Sequence, residues 1–215
     1  MNTWTSKVCA TVLACLTLAA CEDGVGLPGS GADAPSEGVR SAALNRGAVM
    51  LVAPEGFCID PDSLRQRFAL MARCDTLGAR GADDAPLALI TATTVPTRTQ
   101  QPLTSNDLGA SSETVLDRAD RDGLTMVRVQ GTPPGAGLRD TYWRAAGRVG
   151  NQIVALAIYE AQDNAPLGTR APRLLEQTMR RTQDQTVATV VARADNSATP
   201  GNNNPSRGAL GGLFE

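Results

Sequence analysis

The side chains of this 215-residue chain that could do chemistry are a few carboxylates, five cysteines and one run of aromatic and guanidinium groups. Asp60 and Asp62, with Glu55 nearby, have the residue types of a glycosidase pair, in which one carboxyl protonates the leaving oxygen while the other attacks or activates water. The same residues suit a helix start, with Asp60 as cap, Pro61 in the first helical position and Asp62 beside the positive helix end. Capping is the simpler reading and is the one adopted. Asp120-x-Asp122-Gly123 begins like a calcium loop, but Arg118 and Val129 stand where further oxygen ligands belong, so a turn is expected. Tyr142-Trp143-Arg144 joins three residue types enriched in binding hot spots. On a strand, Tyr142 and Arg144 share one face and Trp143 takes the other; the triplet is the candidate binding patch.

Absences narrow the chemistry further. The chain has no histidine, and its one lysine is Lys7. A Ser-His-Asp triad and a Cys-His pair are impossible, and so, beyond the N-terminal segment, are a Schiff-base lysine and a P-loop lysine. Zinc sites built on imidazole are excluded as well. The cluster Gly131, Gly135 and Gly137 has prolines that remove backbone donors and lacks the phosphate-loop spacing, so it reads as a surface loop. No cofactor and no metal are expected. A carboxylate-only enzyme is the one catalytic class left open.

The N-terminus carries an address. Lys7 is followed by an apolar stretch from Val8 to Leu18 and then by small residues Ala19 and Ala20, the three parts of a secretory signal. The stretch is far shorter than the roughly 20 residues that span a bilayer. Leu18-Ala19-Ala20-Cys21 resembles the lipobox of bacterial lipoprotein precursors. That resemblance implies removal of residues 1–20, a thioether-linked diacylglycerol on Cys21 and acylation of the new amine. Two or more acyl chains give stable anchoring where one does not. Glu22 stands where the inner-membrane retention signal of enterobacterial lipoproteins prefers Asp, so a periplasm-facing position on the outer membrane is favoured over the inner.

Without residues 1–20, nineteen arginines face 22 acidic residues, a net charge of −3, which argues against a nucleic-acid partner. Cys9 and Cys15 leave with the signal and Cys21 is taken by lipid. Cys58 and Cys74 remain as an even pair in an oxidising compartment, and a disulfide is expected. The spacing is not Cys-x-x-Cys, and no histidine or lysine is present to activate a thiolate.

The elements that must position these groups follow from pattern. Residues 22–38 are rich in Gly, Pro, Ser, Asp and Ala and read as a flexible stalk. The last twenty residues have a similar polar composition and read as disordered, with Leu210, Leu213 and Phe214 either a frayed end or a docking peptide. The division expected is a signal peptide at 1–20, lipidated cysteine and stalk at 21–43, one domain at 44–193 and a tail at 194–215. Within the domain, Ala48–Val52 predicts a strand, and a helix beginning at Asp60-Pro61 would place Leu64, Phe68, Met71 and Cys74 on one stripe. The disulfide would then pin that helix end. Leu87–Val95 predicts a second strand, Ser111–Ala119 a short helix and Leu124–Val129 a third strand. Thr141–Val149 and Ile153–Glu160 predict a hairpin across Gly150-Asn151. Pro172 opens an amphipathic helix with Leu174, Leu175, Thr178 and Met179 on one face; its extension through Val187, Val190 and Val191 stays open.

This order gives an α+β fold, a mixed or antiparallel sheet of about five strands with two to three helices, flanked by disordered termini. Tyr142-Trp143-Arg144, then Gly147 to Leu156, a spacer and the helix at 172–182 resemble the C-terminal half of Mog1/PsbP-like domains. Those domains are sheet-and-helix sandwiches found in accessory and assembly factors and generally not enzymes. The expectation is a membrane-anchored envelope lipoprotein that is a non-catalytic binding or accessory factor with an envelope protein partner. A carboxylate-only cell-wall glycan hydrolase and a small-ligand-binding lipoprotein are the alternatives.

Overall fold

The structure, a computed structural model, describes residues 36–198 apart from 82–83, 100, 102, 110–113 and 122. Cys21, the signal segment, most of the stalk and the tail beyond 198 lie outside the described residues. Eleven strands and two helices are described: β1 (Ser36–Glu37), β2 (Ser41–Leu44), β3 (Val49–Val52), β4 (Phe57–Ile59), β5 (Phe68–Arg73), β6 (Ala79–Arg80), β7 (Ala88–Pro96), α1 (Ser105–Gly109), β8 (Thr114–Arg121), β9 (Leu124–Gln130), β10 (Thr141–Val149), β11 (Gln152–Glu160) and α2 (Arg170–Ala198).

The fold is α+β. Seven strands form one sheet in the order β4-β5-β7-β11-β10-β9-β8, every pair antiparallel. β2 and β3 make a separate antiparallel ribbon, and β1 pairs parallel to β6. The sheet has two strands more than expected. The described residues begin with β1 at Ser36, and α2 runs to Ala198.

Period-two alternation sorts the sheet into two faces. On one face Met71, Ile90, Met126, Ala145, Leu156 and Ile158 join Leu175 and Met179 of α2 in the main core. On the other, Val127, Val129 and Tyr142 form a smaller cluster with Leu108 of α1. Gly147 lets α2 approach: a Cβ there would lie 3.2 Å from the Met179 thioether. The β10–β11 hairpin closes over two residues, pairing Val149 with Gln152, and Gly150 takes the positive φ of 56° that a tight turn requires.

α2 holds the small ribbon through side chains rather than through apolar contact alone. The N–H groups of Met50 and Val52 in β3 donate to the hydroxyls of Thr186 and Thr182, at 2.9 and 3.1 Å. Two N–H groups two residues apart on a strand are about 6.7 Å apart. Two hydroxyls four residues apart on a helix are about 6 Å apart, so the two repeats match.

Two expected helices are strands. Leu64, Phe68 and Met71 fit a helical stripe, yet Phe68–Arg73 pairs with β4 and β7, burying Ala69 and Met71 towards α2 and leaving Phe68 and Leu70 half-buried on the opposite face. The start was read correctly and its continuation was not. Asp60 caps a single 3-10 turn, Pro61–Ser63, accepting the Asp62 N–H at 3.0 Å, and Leu64 leaves it in extended conformation. The segment expected to be helical at 111–119 contributes instead to β8, the sheet's edge. The short helix α1 precedes it.

Candidate functional site

A cleft of about 590 Å³ opens where the sheet extends past the N-terminus of α2. Its floor is a row across three strands: the register pairs Asp117 with Arg128 and Arg128 with Trp143. Trp143 is half-buried and packs against the main core, which puts this row on the α2 side of the sheet. Directly opposed side chains on one face lie about 4.5–5.5 Å apart at Cβ, so the Arg128 guanidinium and the Trp143 ring are neighbours. Gly168, Thr169 and Pro172, at and before the start of α2, line the facing wall. No acidic residue occupies the first turn of α2.

Arg139 and Glu160 build the end of the cleft. Arg139 donates through Nη2 to the carbonyls of Gln162 and Asn164, fixing the loop that leaves β11. Its Nε is buried without a hydrogen-bond partner among the described residues, and its ion pair with Glu160 Oε2 spans 3.9 Å. The same Glu160 oxygen accepts the Leu167 N–H at 2.9 Å, so one carboxylate holds the approach to α2. Arg121 pairs with Glu176 of α2 at 3.2 Å and closes one side. Arg128 is exposed and has no hydrogen-bond or ion-pair partner among the described residues.

Asp140 at the rim accepts from the Gln130 amide at 2.9 Å, and that hydrogen bond holds its carboxyl below the usual carboxylate range. Such a group stays ionised, the opposite of what a general acid requires. The cleft therefore presents hydrogen-bond donors, carboxylate acceptors and one aromatic face.

The residues expected to carry function are dispersed. Trp143 lies in the cleft, whereas Tyr142 is buried on the far face, stacked on Tyr159 with ring centroids 4.6 Å apart, and Arg144 is half-buried on that same far face. The three do not share one surface. Cys58 and Cys74 are joined as a disulfide. It links β4 to the turn after β5 rather than pinning a helix end, and it sits at the sheet edge opposite β8. The first described segment lies against it: a Cβ at Gly38 would fall 2.1 Å from Cys58 Sγ. Asp60 and Asp62 lie by β4, away from the cleft, and serve as cap and first-turn residue. β8 and β9 pair up to Arg121 and Leu124, and Gly123 takes a positive φ of 76°; Asp122 lies outside the described residues.

Among the described residues no three His, Cys, Asp or Glu side chains come together as a metal ligand set, and no helix is long and apolar enough to cross a membrane. The reading of the sequence had missed Arg128, Arg139 and Glu160. One signal was available: Arg128 interrupts the apolar run of β9 on the face that packs on α2.

No family model matches the chain, and no curated protein matches it. Among solved structures, the solution structure of cyanobacterial PsbP (CyanoP) from Synechocystis sp. PCC 6803 is similar with a TM-score of 0.38 and 8% sequence identity. The match covers 71% of this chain and 96% of that one. A similarity of that size carries no residue roles across.

Proposed function

We propose that this chain is an envelope lipoprotein, held at a bacterial membrane by lipid on Cys21, that works as a non-catalytic binding or accessory component through the cleft at Trp143. The observation that carries the reading is the cleft itself. Its volume lies within the about 300–1,000 Å³ of small-molecule sites. It also gathers an unpartnered guanidinium and a tryptophan on a rigid sheet. The lipobox supports the anchoring, and the absence of His and of any Lys beyond Lys7 removes most covalent and acid–base chemistry.

Two measurements test the two halves. Cys21→Ala should move the protein from washed membranes to the soluble fraction; unchanged fractionation removes the lipid anchor from the account. A photoactivatable residue in place of Thr169, exposed on the cleft wall, should give one discrete adduct in cells, protein or glycan. The same residue at Val187, exposed on α2, should give none. Equal labelling from both positions, or none from 169 in folded protein, removes the cleft as the binding site.

A further inference from the structure

Resting on the cleft as the binding site, we infer that its ligand is an anionic saccharide, a sugar ring bearing a carboxylate or phosphate. The donors that lack acceptors converge there. Arg128 has no partner among the described residues, and the buried Nε–H of Arg139 has no acceptor within hydrogen-bond range. Both guanidinium groups line the cleft, and a guanidinium without a close anionic partner is suited to receive an incoming oxygen anion. Gly168, Thr169 and Pro172 bring the positive end of α2 to the same space, and its first turn carries no acid. Helix N-termini of this kind favour anions.

The remaining groups select a sugar as the carrier of that anion. Asp117 and Asp140 line the same cleft and accept hydrogen bonds, which the hydroxyls of a sugar donate. An acidic peptide would bring more carboxylates against them and few hydroxyls. Trp143 supplies a flat apolar face beside Arg128, suited to the C–H face of a ring whose acid group reaches the guanidinium. The ligand thus needs one acid group, several hydroxyls and one apolar face.

Titration calorimetry on the purified chain tests this with galacturonate and glucose 1-phosphate as probes, and with glucose, inorganic phosphate and a glutamate-rich peptide alongside. At least one anionic sugar should bind saturably, at least tenfold more tightly than glucose or inorganic phosphate. Its affinity should fall at least tenfold in Arg128→Gln and less in Trp143→Phe, which keeps an aromatic ring in the same packing. Arg128 is exposed, so the variant should melt like the parent. Galacturonate and glucose 1-phosphate separate a carboxylate ligand from a phosphate one. The inference is overturned if neither sugar binds up to about 10 mM, if Arg128→Gln binds equally well, or if the peptide binds more tightly than both. A cell adduct at position 169 without sugar binding would leave the cleft as a binding site and remove the saccharide.

Discussion

Replacing Thr182 or Thr186 with valine removes a hydroxyl while keeping shape, and the structure assigns each hydroxyl a distinct duty. Thr186 Oγ1 accepts the Met50 N–H at 2.9 Å and Thr182 Oγ1 accepts the Val52 N–H at 3.1 Å. Both threonines are nearly inaccessible, at 5% and 0%. Valine leaves a backbone donor of β3 without an acceptor between ribbon and helix, which costs about 1–3 kcal/mol for a buried group. Met50 and Val52 are only half-buried, so water recovers part of that and about 1–2 kcal/mol is expected per site. For a domain of this size each kcal/mol lowers the melting temperature by about 2–4 °C.

Thr178 is the internal control. It is also fully buried on the same stripe of α2, but its hydroxyl only donates to Leu174 O within the helix. Thr178→Val leaves no strand donor orphaned and should stay within about 0.5 kcal/mol of the parent. The assay is urea unfolding followed by Trp143 fluorescence, comparing midpoints at unchanged slope. Three equal destabilisations, or a larger effect at 178 than at 182 and 186, would refute the assignment of these hydroxyls to the edge of β3.

Other outcomes follow from local geometry. Gly38→Ala should lower the melting temperature by several degrees, because its Cβ would fall 2.1 Å from Cys58 Sγ; an unchanged melt contradicts that close approach. Removing the disulfide as Cys58→Ala/Cys74→Ala, a sequence separation of 16, should cost about 3 kcal/mol in chemical unfolding, and maleimide should label no thiol at either position in the denatured, unreduced parent. Hydrogen bonds from the Arg73 guanidinium hold the Asp75 carboxyl below its ordinary value. A depressed folded value stabilises above the unfolded one and is lost as pH falls through the folded one, so the advantage of the parent over Asp75→Asn should be present at pH 6 and shrink below about pH 4. A difference independent of pH would contradict the ion pair.

Legibility in the sequence followed the strength of local pattern. β3, β7, β9 and the β10–β11 hairpin announce themselves by apolar or β-branched runs bounded by Pro, Asp-Gly or Gly-Asn, and α2 by its period. Phe68-Ala69-Leu70-Met71-Ala72 is apolar on both faces, because β5 lies inside the sheet with partners on both sides, and a run of that kind satisfies a helical stripe as well as a strand. β8 was unreadable for the opposite reason. It is an edge strand with charged residues on both faces, which protects it from pairing but erases alternation. The cleft was hidden because Asp117, Arg128, Trp143 and Glu160 meet only through register across four strands. Arg139 joins them through the loop it fastens. The disulfide needed only an even count and a compartment.

The cleft itself can be read directly through one proton. Trp143 is the sole tryptophan after Trp4, so its indole N–H gives a single resonance for the described residues. Labelled protein mixed with a solubilised membrane extract of its source cells should show that signal shifting together with the Nε–H of Arg128 and Arg139, while the ring resonances of Tyr142 and Tyr159 on the far face stay in place. Shifts clustered on the far face, or none near Trp143 with folded protein, would contradict a binding site at the N-terminus of α2.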